Sequence, residues 1–173
     1  MRNYWSTGRY VVQAAVLTVS DRCSRGEAED AVEVAEEGQA RDVEWKMRVA
    51  RRIYDLAVTK YGLEPEDLIF DALTFPLSTG DDDLRGDAQA TIEAIRRLKA
   101  EFPTSSTILG ISNVSFGLNP VARKALNSVF LHHNIEAGLD LAIVNSEKLE
   151  RFASIPEEER RLAEDLLYGR GAD

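Results

Sequence analysis

The sequence predicts an α/β fold: four consecutive βα units around a parallel sheet, in a single domain over residues 10–173 behind a loose leader at 1–9. Three observations predict it. Short apolar runs at 10–19, 68–73, 107–112 and 139–144 are bounded by polar or turn residues, the pattern of strands buried on both faces. Amphipathic stretches follow these runs, with apolar residues recurring every three or four positions. Strands alternating with such helices imply a parallel sheet covered by helices.

Each element has its own signal. Tyr10 to Val19 is rich in β-branched and small apolar residues, as the first strand requires. Residues 20–30 are charged and aperiodic and read as a loop. Residues 31–35 form a short connection to Glu36, Glu37, Gly38 and Gln39. Arg41 to Tyr61 reads as a helix whose stripe is Val43, Met47, Ala50, Ile53 (or Tyr54) and Ala57. Gly62 and Pro65 end it. The second strand, 68–73, leads through the loop 74–80 to Asp81, Asp82 and Asp83, acids suited to a helix N-terminus. Leu84, Ala88, Ile92, Ile95 and Leu98 make the next stripe, closed by Phe102 and Pro103.

Strand three is followed by a helix from Pro120 to about Ala137, packing through Val121, Ala125 and Val129. After strand four come a short helix at 146–152 and another from Pro156 to Tyr168. Pro156 followed by Glu157, Glu158 and Glu159 marks the start of that last helix.

Composition narrows the function. The 173 residues are 44% hydrophobic and 29% charged, ordinary for a globular protein with one core. A formal charge of −9 argues against broad binding to a phosphate backbone, which needs a basic surface. Arg48, Arg51 and Arg52 recur at helical spacing and read as a solvated face. A single cysteine, Cys23, excludes an internal disulfide and a multi-thiolate zinc site. No apolar run approaches the roughly 20 residues of a membrane span. Polar residues between 3 and 9 interrupt any signal-peptide core, so a cytoplasmic protein is the expectation.

The most informative stretch is T-I-L-G-I-S-N-V-S-F-G-L-N-P at 107–120. A buried strand turns polar at Ser112, Asn113 and Ser115, then enters a helix that Asn119 can cap and Pro120 can start. Ligands of parallel α/β folds bind at the carboxyl ends of the strands.

This stretch, together with E-E-G-Q-A at 36–40, L-I-F-D at 68–71, G-L-D-L-A-I-V-N at 138–145 and A-S-I-P-E-E-E-R-R-L-A-E-D-L-L at 153–167, resembles the pterin-binding (methyltetrahydrofolate) domain of cobalamin-dependent methionine synthases. The resemblance runs from about residue 36 to 169. It implies half of a TIM-type (β/α)8 barrel (dihydropteroate-synthase-like), since whole barrels typically need about 250 residues. It also implies pterin binding and a part in methyl transfer from methyltetrahydrofolate to a corrinoid. Asn113 takes the position of the Asn that contacts the methyl-bearing nitrogen, and Asp71 that of a pterin-contacting acid. Ser112, Ser115 and Asn145 are further candidates on the same rim. Glu37 and Gln39 fit a solvated loop better.

A half-barrel leaves strand edges unpaired, and such edges invite association. Three arrangements are open: two copies closing a barrel as a homo-oligomer, a flattened doubly wound parallel sheet, or a fragment that folds poorly. Self-association is the one expected; a complementary half-barrel would serve equally as the partner.

Residues 14–30 (A-A-V-L-T-V-S-D-R-C-S-R-G-E-A-E-D) resemble instead the opening strand and loop of the molybdopterin adenylyltransferase family. That family's G-G-T-G motif is missing from the sequence, which speaks against a part in molybdenum cofactor biosynthesis. The simplest account is a recombined or engineered N-terminus whose strand substitutes for a barrel strand.

The chemistry can be argued from the residues as well. A pterin edge offers N–H donors beside an acceptor; a carboxylate accepts paired donors, and an amide both donates and accepts. A plainer role stands beside this, because Asp and Asn are common in turns and helix caps. His132 and His133 are adjacent on a helix and point about 100° apart, so they cannot chelate together. No metal site is expected. The Asp-x-His-x-x-Gly signature of cobalamin modules is missing, so cobalamin would arrive on another domain or chain, a corrinoid-carrying protein. No Ser-His nucleophile pair is apparent. A non-catalytic, self-assembling half-barrel is the alternative function.

Overall fold

The computed structural model describes residues 41–77 and 86–170, together with the backbone of 15–18. The leader, Cys23, the loop at 20–30, Glu37, Gln39, Ser78, Asp81 to Asp83 and Leu84 lie outside the described residues. The elements in chain order are β1 (Ala15–Thr18), α1 (Val43–Tyr54), β2 (Leu68–Asp71), α2 (Asp87–Glu101), β3 (Ser106–Gly110), α3 (Pro120–Glu136), β4 (Leu141–Ile143) and α4 (Glu157–Leu167).

All pairings are parallel and follow the chain, β1-β2-β3-β4. The register sets Leu17 beside Phe70, Phe70 beside Thr107, and Leu109 beside Ala142. Each helix packs against the next, α1 on α2, α2 on α3 and α3 on α4. A doubly wound sheet reverses its strand order and carries helices on both faces. The described strands show no such reversal.

The core lies between the sheet and the helices. Leu68, Phe70 and Leu109 point into it from the strands, and Met47, Ala50, Ile95, Leu98, Val129 and Phe130 meet them. Phe102 stacks on Phe70 at 5.4 Å and on Tyr54 at 4.5 Å, joining β2, α1 and the end of α2 through aromatic faces. At the start of β3 and β4, Asp140 fixes the register of the two strands. Its Oδ2 accepts from Thr107 N at 2.8 Å and from Lys99 Nζ at 2.9 Å, while Asp140 N donates to Thr107 Oγ1 at 3.2 Å.

Several elements depart from the sequence pattern. The helix expected to run to Tyr61 widens into a π-helical turn at Asp55–Lys60, closed by Gly62 at φ 69°. The second strand stops at Asp71 because Leu73 turns into the left-handed region, φ 58°. The third stops at Gly110 and winds into a 3₁₀ turn, Ile111–Ser115. The helix expected at 146–152 is replaced by two 3₁₀ turns, Ser146–Lys148 and Phe152–Ser154.

Strand four was expected to be buried on both faces. Instead all three residues of β4 are exposed, Leu141 by 45% and Ile143 by 62%, because β4 is the last strand of the described sheet. The arginine face behaves as expected at Arg51, which forms a two-pronged bond to Glu101 at 2.6 and 2.8 Å on the helix surface.

Candidate functional site

Asp71 and Asn113 sit at the same end of the sheet, on neighbouring strands. Asp71 closes β2 and pairs with Ile108 of β3, and Asn113 lies in the turn that leaves β3. The two connections touch: Leu77 N–H, six residues past Asp71, donates to Val114 O at 3.0 Å. Asn113 is exposed, with its side chain folded over Gly110. A Cβ at Gly110 would come within 3.1 Å of Asn113 Nδ2, so the small residue makes room for the amide.

Asp71 is half-buried, and its Oδ1 accepts the Leu73 amide at 2.9 Å. Burial pushes its carboxyl above the usual range, while the Leu73 amide and the positive charge of Lys46 pull it back. Lys46 comes from the first turn of α1 and is fully buried. Its Nζ donates to Ala72 O at 2.6 Å and lies 3.3 Å from Leu73 O. The Phe75 ring covers it, centroid 5.2 Å from Nζ. Burial brings the Lys46 ammonium down to about 8, against the opposing pull of Asp87, Asp71 and Asp42.

Asp87 opens α2 and is buried as well. Its Oδ2 makes no hydrogen bond among the described residues but has a charge contact with Arg41 Nη1 at 3.8 Å. Burial raises this carboxyl too, opposed by Arg41 and Lys46.

The remaining candidates separate. Ser112 and Asn145 share a cavity of about 470 Å³ between the turns after β3 and β4, with Arg123, Lys124, Asn127 and Lys148 also on its wall. That volume suits a small molecule, but neither Asp71 nor Asn113 lines it. Asn145 also caps its own turn by accepting from Glu147 N at 3.1 Å. Ser115 is fully buried. Its hydroxyl donates to Ser112 O at 3.2 Å and accepts from Arg123 Nε at 3.1 Å, so it holds the turn together.

Two polar residues here were not anticipated from the sequence. Arg123 reaches back from α3 to Ser115 and to Ser112 O, bracing the turn that carries Asn113. Lys46 sits at helical spacing between Val43 and Ala50, and that position within an apolar stripe was its one sequence signal.

Both histidines are engaged by the packing. His132 stacks on Phe152 at 3.7 Å, and His133 Nε2 lies 3.2 Å from Glu164 Oε1. Among the described residues no cluster of His, Cys, Asp and Glu could hold a metal ion. No described helix is long and apolar enough to cross a membrane.

The comparison that decides the family is a match to the pterin binding enzyme family over residues 11–145, a span that includes β1 through β4 and both Asp71 and Asn113. The chain belongs to the pterin binding enzyme family. It is 46% identical over 155 residues to methionine synthase of Mycobacterium leprae, covering 90% of this chain and 13% of that protein. It is 48% identical over 145 residues to methionine synthase of Mycobacterium tuberculosis, covering 84% of this chain and 12% of that one. The chain thus spans a small part of the length of these curated relatives. The pterin-binding family match also runs through residues 14–30, where the sequence alone suggested a second origin.

Proposed function

We propose that the chain binds a tetrahydrofolate-type pterin at the carboxyl ends of its parallel strands, with Asp71 and Asn113 as principal contacts. In this reading it takes part in methyl transfer from methyltetrahydrofolate to a corrinoid in methionine synthesis. The observation that carries it is the juxtaposition of the two connections, tied by the Leu77–Val114 hydrogen bond. One Asp71 oxygen is held by Leu73 N, which orients the carboxylate to accept paired N–H donors of a flat heterocycle. The exposed Asn113 amide can donate to, and accept from, the methyl-bearing nitrogen, favouring its protonation before the methyl leaves. A corrinoid supplies the nucleophile that accepts the methyl, and it would be carried by another domain or chain.

Calorimetric titration with methyltetrahydrofolate tests this. Binding to the wild type that is lost in Asp71→Ala and in Asn113→Ala is the expected result. Absence of heat with well-folded wild-type protein sinks the reading.

A second reading has its own observation. The described sheet follows chain order without reversal and ends in an uncovered strand, as half of a TIM-type barrel would. We infer that the sheet is completed by a second copy or by a complementary half-barrel, and that the chain can serve as a self-assembling scaffold. Sedimentation of a compact monomer at micromolar concentration would count against self-assembly.

A further inference from the structure

Lys46 is 1% exposed, on the helix that follows β1, and it is wrapped by the connection that follows Asp71. Its ammonium bonds the Ala72 oxygen and reaches that of Leu73, and the Phe75 ring closes over it. Thr91 Oγ1 lies 2.9 Å from the same Leu73 oxygen, sharing its proton with Asp87 O at 3.0 Å. These bonds hold Leu73 in the left-handed region, which a branched side chain rarely adopts unless its surroundings impose it. In that conformation the Leu73 amide points back to Asp71 Oδ1.

We propose that Lys46 is a positioning residue for Asp71: it anchors the Ala72–Leu73 turn, and the turn holds the carboxylate in the orientation and ionised state that a pterin edge requires. This rests on the pterin-binding reading given above. A buried ammonium is costly, and a methionine of similar length would fill the same space without that cost. What the ammonium adds is a bond to two main-chain oxygens and a positive charge near Asp71. The other groups facing it are Asp42 at the start of α1 and Asp87 at the start of α2, with Arg41 set against Asp87. Burial drives Asp71 toward its neutral form, and Lys46 is the cation that opposes this. A neutral carboxyl would accept paired donors poorly.

The test follows the Asp71 carboxyl by carbon-detected NMR across the pH range, without ligand, in the wild type, Lys46→Met and Lys46→Arg. In the wild type the Asp71 signal should titrate in acid and move again near pH 8, as Lys46 discharges. In Lys46→Met the upper step should vanish and the acid midpoint should rise by about one pH unit, a ten-fold change in proton affinity. Lys46→Arg should keep the acid midpoint of the wild type. Methyltetrahydrofolate affinity should lose its acid limb at correspondingly higher pH in Lys46→Met alone.

An Asp71 titration identical in wild type and Lys46→Met, with no step near pH 8, overturns the proposal. If Lys46→Met does not fold, the wild-type step near pH 8 decides by its presence or absence. A wild type that shows the coupling but takes up no methyltetrahydrofolate overturns the pterin reading and leaves the Lys46–Asp71 coupling standing.

Discussion

Lys46 Nζ lies 2.6 Å from the main-chain oxygen of Ala72, so a lysine from the first turn of a helix is bonded to the residue that follows Asp71. Two βα units are thereby locked together at the end of the sheet where the ligand is proposed to bind. Stability and site geometry both depend on this one contact, and they respond to pH in different ways.

Lys46 loses its proton at about pH 8 in the folded chain, well below an ordinary lysine, because it is buried. Between that value and the ordinary lysine range, the unfolded chain binds more protons than the folded one. Stability contributed by this group therefore rises with pH across that window. The rise should be on the order of 3 kcal/mol in the wild type and missing in Lys46→Met. Urea titrations at a series of pH values above neutrality measure it directly.

Asp140 gives the acid limb. Burial alone would raise its carboxyl, but bonds from Lys99 and Thr107 outweigh that and hold it below the usual carboxylate range. Its stabilising effect is in place above the ordinary Asp range and is lost as pH falls through the lowered value. Asp140→Asn should lower the urea midpoint at neutral pH and flatten the acid dependence of stability. An unchanged acid limb would show that the β3–β4 register does not depend on this charge.

Gly110→Ala probes the site without replacing a proposed contact. The backbone there, φ −81°, accepts alanine, so the melting temperature should barely move. The new Cβ meets Asn113 Nδ2 at 3.1 Å and must displace it. Methyltetrahydrofolate binding should weaken about ten-fold, the size of one hydrogen bond lost. Calorimetry beside a thermal melt separates the two effects.

Phe102→Ala should remove the ring between Tyr54 and Phe70 and leave a cavity at the foot of α2. A loss of about 3–5 kcal/mol is expected for a buried aromatic. Denaturant unfolding followed by fluorescence would read it. A loss under about 1 kcal/mol would mean that the aromatic stack relaxes without cost.

Much of the architecture could be read in the sequence because it is periodic. Met47 and Ala50, or Ile95 and Leu98, fall on one helical face, and all four are buried there. Where the reading failed, the deciding contact was distant. Leu73 is an apolar residue at the end of an apolar run, so it reads as strand; Lys46 and Thr91 bond its oxygen from two other elements and turn it. Ile111 likewise continues a strand pattern but is buried by a turn that Arg123 braces from the next helix. The exposure of β4 depends on what lies beside it, and no local pattern records that.

The site divides along the same line. Asp71 and Asn113 could be picked out because L-I-F-D at 68–71 and G-I-S-N-V-S-F-G at 110–117 resemble motifs of the pterin-binding domain of methionine synthases. Ser115 has the same local context, yet Arg123 draws its hydroxyl into the interior. The sequence offered one hint of Lys46, a cation spaced as if it were a core residue.

The uncovered β4 has a practical consequence. Leu141 and Ile143 on an open strand form a short, sticky margin on which further chains can stack lengthwise. Stored concentrated and alone, the protein should drift toward thioflavin-positive fibres, and a lysine in place of Ile143 should slow that drift.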